Sequence, residues 1–274
     1  MKFENLNGQS IPKIGYGTWK IGGRLSPEPD NDTLYLKALA SALDLGYTHF
    51  DTAEVYAAGH SEELLGQAIR QSGKDRQGLF ITSKVSPEHL AYGDVMQSCR
   101  ESLQRLGLAY LDLYLIHWPM RGMHLPETFR ALNQLVAEGR VRHLGVSNFN
   151  LKQMLESVSQ CATPLFTNQV SYSLPDQKCV RNGVLGACRE KGILLTAYSP
   201  VKRRGIRSKA FKALARELEL TPQQLALAWL VNQPGVISIP ASLDPQHQAE
   251  NLAAGDITLG AWEMEALQGL KEKA

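Results

Sequence analysis

Leu79-Phe80-Ile81-Thr82-Ser83-Lys84, the amphipathic run Asp94–Leu106 and then Leu111-Asp112-Leu113-Tyr114-Leu115-Ile116-His117 set a short apolar strand, a helix and a second apolar strand in succession. A helix between two strands makes the connection a parallel crossover. The unit repeats outward in both directions. Upstream lie the strand candidates Ile14–Gly17 and His49–Asp51; downstream lie Val141–Ser147, Leu165–Val170, Ile193–Tyr198 and Val236–Pro240. Helix-period segments fill the gaps: Asp32–Leu45, Ser61–Gln71, Pro126–Glu138, Leu151–Ser157, Lys178–Lys191, Lys209–Leu218, Pro222–Asn232 and Pro245–Ala254. Ser61-Glu62-Glu63-Leu64 and Thr221-Pro222-Gln223-Gln224 read as helix starts, and Gly46, Gly107, Gly139 and Gly192 as helix ends.

Eight such units at about 30 residues each use the whole chain of 274 residues, with no Pro/Ser-rich linker between them. The expected architecture is one (β/α)₈ barrel domain over residues 1–274. A β-hairpin turning at Asn7-Gly8 precedes it, and an additional C-terminal helix near Ala261–Lys273 ends the chain without a tail. A doubly wound open sheet would need a glycine-rich fingerprint running from the first strand into a helix. Gly15-Tyr16-Gly17-Thr18-Trp19-Lys20 has Lys where the third Gly belongs, and no helix follows it directly.

Composition narrows the function classes. There are 29 Lys+Arg against 27 Asp+Glu, a net charge of +2, where a dedicated nucleic-acid binder carries a basic surplus. Cys99, Cys161, Cys179 and Cys188 contain no C-x-x-C pair, which fits thiols in a reducing compartment and neither a zinc nor a redox motif. The N-terminus has no signal-peptide core, and no apolar run is long enough to cross a membrane. The expectation is a cytoplasmic protein without nucleic-acid or membrane partners and without a metal site.

In a barrel, chemistry collects at the C-terminal ends of the strands. Those ends carry Asp51 with Tyr56 five residues on, Lys84, His117-Trp118, Ser147-Asn148, Asn168-Gln169 and Tyr198-Ser199. Each alone could be a cap or a solvated tip; together they should face one mouth.

The motifs Asp51-Thr52-Ala53-Glu54-Val55-Tyr56, Ser61-Glu62, Ser83-Lys84-Val85, Leu113-Tyr114-Leu115-Ile116-His117-Trp118-Pro119 and Gly145-Val146-Ser147-Asn148-Phe149 resemble the aldo-keto reductases. The resemblance runs from about Gly15 to Asn251. It implies a single-barrel, monomeric enzyme that transfers a hydride from a nicotinamide cofactor to a carbonyl. It assigns Tyr56 as proton donor, Lys84 as the ammonium that lowers the phenol's pKa, Asp51 as the partner of Lys84, and His117 as the group that positions the carbonyl oxygen. His117 further implies carbonyl reduction, since steroid double-bond reductases of the family carry Glu there. Ser147, Asn148 and Gln169 would hold the carboxamide. Tyr198 would stack on the nicotinamide ring, with Ser199 beside it; Gly17-Thr18-Trp19 would form the first cofactor-contacting turn, and Asp51 would be a further cofactor contact. Trp19 and Trp118 would wall the substrate pocket, or else belong to the core.

The sequence departs from the family at the phosphate end. Ile239-Pro240 is followed by Ala241-Ser242 where NADPH users have Lys-Ser, and His247 stands at a later Arg position. The adenine-contacting pair is present as Glu250-Asn251. The expectation is dual cofactor use, NADPH slightly favoured and NADH plausible. The basic residues Lys202, Arg203, Arg204, Arg207 and Lys209 either replace the missing cations or form a solvated loop. The segment from Trp118 to Leu125 is short, which implies an open site and broad selectivity for small aldehydes, dicarbonyls or keto-sugars. A second reading of the same scaffold is a cofactor-binding sensor or accessory subunit. A hydrolase is disfavoured, since Ser147 lacks the second Gly of a nucleophile elbow.

Overall fold

The structure is a computed structural model describing residues 1–202 and 206–271. Strands β1 (Phe3–Leu6) and β2 (Gln9–Pro12) form an antiparallel hairpin. Eight parallel strands follow: β3 (Tyr16–Gly17), β4 (His49–Asp51), β5 (Phe80–Val85), β6 (Leu111–Ile116), β7 (Val141–Ser147), β8 (Thr167–Ser171), β9 (Leu194–Tyr198) and β10 (Val236–Ser238). Each pairs with the next in chain order. The sheet closes between its first and last strands through a parallel bridge from Ile14 to Ser238, with Gly15 N donating to Ser238 O at 2.8 Å and Gly17 N to Pro240 O at 3.0 Å. Gly17 has no Cβ for a reason: one would stand 2.8 Å from Ile239 O. Closure removes the exposed edges an open sheet would present.

Helices α1 (Asp32–Leu45), α2 (His60–Ser72), α3 (Tyr92–Leu106), α4 (Leu125–Ala137), α5 (Leu151–Gln160), α6 (Lys178–Arg181), α7 (Val184–Lys191), α8 (Lys209–Glu217), α9 (Pro222–Val231), α10 (Pro245–Ala253) and α11 (Ala261–Lys271) lie in the crossovers and at the C-terminal end. Local signals explain several boundaries. Asn150 with Gln153 and Thr221 with Gln224 form reciprocal capping boxes at α5 and α9. The expected single helix over Lys178–Lys191 is broken in two, because Gly183 adopts φ 80°, outside the helical region. The expected Ser61 cap is also corrected. Helix α2 begins one residue earlier after Gly59, and the Ser61 hydroxyl donates to Thr18 Oγ1 at 3.0 Å instead.

The core has two layers. The larger lies between the strands and the helices and includes Leu39, Leu65, Ile81, Tyr114, Leu132, Leu144, Leu195 and Leu227, all fully buried. The smaller fills the barrel near the N-terminal strand ends, where Phe80, Leu113, Leu115, Phe166, Leu194 and Ile237 meet Ile11 from the hairpin, with Leu6 packed against them. The hairpin therefore plugs the bottom of the barrel. It is fastened by Lys13 Nζ, which reaches Glu4 at 2.7 Å and the carbonyls of Val231 and Gln233 at 2.8 and 2.9 Å.

His49 sits in this lower layer, fully buried, edge-on to Phe80 at 5.3 Å between ring centroids. Burial lowers its pKa to about 4. The imidazole is thus neutral in the folded protein at a pH where the unfolded chain takes up a proton. Below the unfolded value near 6.5 the unfolded state binds more protons, so stability falls with pH until the folded value is reached. In urea unfolding followed by circular dichroism, the wild type should lose about 3 kcal/mol more than His49→Leu between pH 6.5 and 4. Parallel pH curves for the two would exclude this contribution.

Candidate active site

The plug at the bottom leaves the top of the barrel, where the strands end, as the open face. One cavity of about 1020 Å³ opens there. This is at the top of the range of roughly 300–1,000 Å³ for small-molecule sites. Its lining includes Gly17, Trp19, Asp51, Tyr56, His117, Trp118, Ser147, Asn148, Gln169, Tyr198 and Ser199, and it extends to Ala241, Ser242, Leu243, His247 and Asn251.

At the floor lies Lys84, fully buried at the end of β5. Its ammonium donates to Asp51 Oδ1 at 2.5 Å, to Thr52 O at 2.6 Å and to Tyr56 Oη at 3.4 Å. The other carboxylate oxygen of Asp51 accepts from Gln169 Nε2 at 2.8 Å. Burial works against the charge on Lys84, but the Asp51 carboxylate and the Tyr56 phenol outweigh it, and the ammonium is held above its ordinary pKa. The position is fixed from behind by Glu62, itself fully buried, which accepts from Ser83 Oγ at 2.5 Å and from Arg105 Nε at 2.7 Å.

Tyr56 projects from the loop after β4. Ala57 and Ala58, the two residues after it, adopt φ 51° and 52°, a left-handed conformation that costs an L-residue about 1 kcal/mol or more. That turn is held by Ala57 N donating to Arg24 O at 2.7 Å. Glu54 ties the same loop to the one after β5, accepting from Ser86 N at 2.6 Å and His89 Nδ1 at 2.9 Å. The Tyr56 ring meets Trp19 at 5.0 Å and His117 at 5.5 Å, each edge to face. The phenol differs from the expectation of a lowered pKa. Burial raises it above the ordinary value, and the opposing pull of Lys84 only limits the rise. His117 has its pKa lowered to about 3, first by burial and then by Lys84, so its ring is neutral near pH 7.

A second cluster stands beside the first. Ser147 Oγ donates to Gln169 O at 3.0 Å, and Asn148 Nδ2 donates to His117 O at 3.1 Å and Ser147 Oγ at 3.0 Å. Tyr198 donates its hydroxyl to Asn148 Oδ1 at 2.8 Å. With that hydroxyl engaged, the aromatic ring is what Tyr198 offers the cavity. Asn148 and Ser199 adopt φ 64° and 49° at the strand ends, so backbone strain collects around this face.

Two expected cofactor contacts are placed elsewhere. Thr18 is fully buried beneath the cavity, its backbone N–H donating to Asp51 O at 2.9 Å and its hydroxyl at 3.1 Å. Glu250 lies outside the described lining and accepts from Gln246 Nε2 at 3.3 Å, while its neighbour Asn251 lines the cavity. Of the basic residues after β9, Lys202 lines the cavity with its ammonium on Asp176 at 2.5 Å. Arg203 and Arg204 lie outside the described residues. Sequence reasoning missed Lys20, Leu25, Val55, Pro87, Glu88, Val201 and Gln223, which line the cavity from loops and helix starts. Val55 lies within a quoted motif and Lys20, Pro87 and Glu88 stand beside one, but none carries a local pattern that marks it as cavity-lining.

Comparison with known proteins agrees with this arrangement. The family model described as "Aldo/keto reductase family" matches residues 13–211 and 206–272. Methylglyoxal reductase YeaE of Escherichia coli (strain K12) is 32% identical over 269 residues, covering 94% of this chain and 90% of the relative. The thermostable aldo-keto reductase Tm1743, solved with the inhibitor epalrestat, aligns with a TM-score of 0.93 at 39% identity, over 98% of this chain and 100% of that one. An aldo-keto reductase from Klebsiella pneumoniae, solved with NADP and acetate, aligns with a TM-score of 0.87 at 34% identity, over 96% and 93%. The chain belongs to the aldo/keto reductase family of oxidoreductases.

Proposed function

We propose that this protein reduces the carbonyl group of small aldehydes, dicarbonyls and keto-sugars to alcohols, with Tyr56 as proton donor, Lys84 and Asp51 as its charged support, and His117 as the carbonyl-positioning group. The observation that carries the reading is the buried Lys84 ammonium lying between Asp51 Oδ1 and Tyr56 Oη at the floor of an open cavity. The relative that acts on methylglyoxal, by its name, supports the substrate class.

The cavity suits a nicotinamide dinucleotide. Its length from Tyr56 to α10, the ring offered by Tyr198 and the amides of Asn148 and Gln169 form a platform beside the proton donor. Ser147, Asn148, Gln169, Tyr198 and Ser199 would hold the nicotinamide half, and Ser242, His247 and Asn251 the adenosine half. When bound, the reduced cofactor supplies the hydride that adds to the carbonyl carbon.

The protein's own groups handle the oxygen. A phenol held above its ordinary pKa keeps its proton at neutral pH, which a general acid must do before the reaction. As the carbonyl π-electrons move onto oxygen, Tyr56 gives its proton there and becomes a phenolate. The Lys84 ammonium, 3.4 Å away, stabilises that anion by about 5 kcal/mol at an effective dielectric of ~20. The same attraction opposes the rise that burial imposes on the resting phenol, so the phenolate is reachable although the acid is buried. Asp51 and Thr52 O keep the ammonium charged and aimed. Neutral His117 has one ring N–H to donate to the same oxygen, and it cannot compete as an acid with an imidazolium proton.

Three measurements test this reading. Tyr56→Phe should lower kcat for a nitrobenzaldehyde by about 10²–10⁴ while dinucleotide binding, read by fluorescence quenching, persists. Binding without turnover on any carbonyl in the wild type would favour the sensor reading. The pH profile of kcat/KM for reduction should stay level through neutrality, with no limb from His117, and fall only above the ordinary phenol range. Across a carbonyl panel no single aldehyde should exceed the rest by several decades, because Trp19 and Trp118 stand 41% and 48% exposed at a wide mouth.

A further inference from the structure

The pairing between β4 and β5 runs on past the end of β4. Asp51 is in register with Thr82, and beyond it Thr52 N donates to Thr82 O at 2.8 Å and Glu54 N to Lys84 O at 3.4 Å. Continued evenly, a parallel ladder would next bring Ser86 N onto the Glu54 main-chain carbonyl. Ser86 N goes instead to Glu54 Oε1, at 2.6 Å. The main chain has already turned by then, with Tyr56 N donating to Ala53 O at 3.1 Å and Ala58 N to Val55 O at 3.3 Å. The Glu54 side chain makes the rung that its own carbonyl has left.

The consequence is local to Lys84. Glu54 grips the end of β5 on both sides of that lysine, by its N–H on Lys84 O and by its carboxylate on Ser86 N, and it stands two residues before Tyr56. The turn that carries the phenol is thereby seated on the segment that carries the ammonium. Glu54 is buried, and it is not among the residues lining the cavity. A buried carboxylate costs stability unless it is bonded. Besides Ser86 N, its Oε1 accepts from His89 Nδ1 at 2.9 Å, but the His89 side chain is 52% exposed.

We propose that Glu54 is a positioning residue, whose carboxylate replaces the missing main-chain rung onto Ser86 N and so sets the separation between the Tyr56 hydroxyl and the Lys84 ammonium. The proposal rests on the reading of Tyr56 as proton donor. At 3.4 Å that contact is a long one, so a further displacement loses the hydrogen bond and weakens the attraction. Reach is what the role demands. Aspartate, one methylene shorter, keeps the charge and misses Ser86 N; glutamine keeps an acceptor oxygen at the same reach and loses the charge.

The test is steady-state kinetics with a nitrobenzaldehyde, alongside dinucleotide binding by fluorescence quenching and circular dichroism as the control for folding. Glu54→Asp should lower kcat by ~10–100-fold with the dinucleotide Kd unchanged, and Glu54→Gln should restore it to within ~3-fold of the wild type. Ser86→Pro removes the N–H itself at a residue whose φ of −66° already suits proline, and should reproduce the loss. The double variant Glu54→Asp with Ser86→Pro should be no worse than either alone. His89→Ala should leave kcat within ~3-fold, since it removes only the exposed partner. Lys84 opposes the rise that burial imposes on the phenol, so Glu54→Asp should also raise the Tyr56 pKa, read by ultraviolet difference titration against the same chain with Tyr56→Phe. Turnover that depends on Tyr56 but is unchanged by Glu54→Asp and Ser86→Pro overturns the proposal alone. An equal loss in Glu54→Gln and Glu54→Asp overturns it too, because charge and not the rung would then be what matters. Absence of turnover on any carbonyl in the wild type overturns the reading of Tyr56 as an acid, and the proposal with it.

Discussion

A fully buried ammonium is the constraint around which the site is arranged. Removing a charge from water costs several kcal/mol unless partners replace the lost hydration. Lys84 Nζ has three oxygen neighbours within 3.4 Å, one of them a carboxylate. Asp51 is the carboxylate among the three, and its charge opposes the burial that would otherwise lower the pKa of the ammonium. The oxygen left over on Asp51 is committed to Gln169 from β8, so the ion pair also ties two distant strands across the barrel. The role proposed for the ammonium and its structural tie meet on the same atom.

The barrel supplies the rest through geometry alone. Parallel strands closed into a cylinder bring every C-terminal end to one face, so Asp51, Lys84, His117, Ser147, Gln169 and Tyr198 converge from six strands or their adjoining turns. The backbone at this face is less relaxed than elsewhere: Ala57, Ala58, Asn148 and Ser199 all hold positive φ. Hydrogen bonds from these turns to other segments keep them there, including Ala57 N to Arg24 O at 2.7 Å and Asn148 N to Gln169 O at 2.8 Å. Strain of this kind is stable only where surrounding contacts over-determine it.

The two ends of the cavity follow opposite electrostatic designs. At the floor the Lys84 ammonium is neutralised by Asp51 and donates to the Tyr56 hydroxyl oxygen. At the α10 end a carboxylate is fixed by its own helix, and Ser242 is pinned from below by Tyr16 and Gln248. The floor is built from strand ends together with the turn after β4 that carries Tyr56. At the α10 end the connection from Ile239 to Leu243 lines the cavity.

Much of this was legible in the residues themselves. Strand and helix alternation, Asn7-Gly8, the Thr221-Pro222 start and the motif residues Asp51, Tyr56, Lys84 and His117 are local features, because periodicity and turn chemistry act over a few positions. The tertiary structure alone decided what depends on neighbours distant in sequence. Burial raised the Tyr56 phenol where the sequence alone suggested lowering by Lys84, since desolvation is a property of the packed surroundings and has no sequence signature. Ser61 left its expected cap for Thr18, 43 residues away, and Thr18 itself sank beneath the cavity.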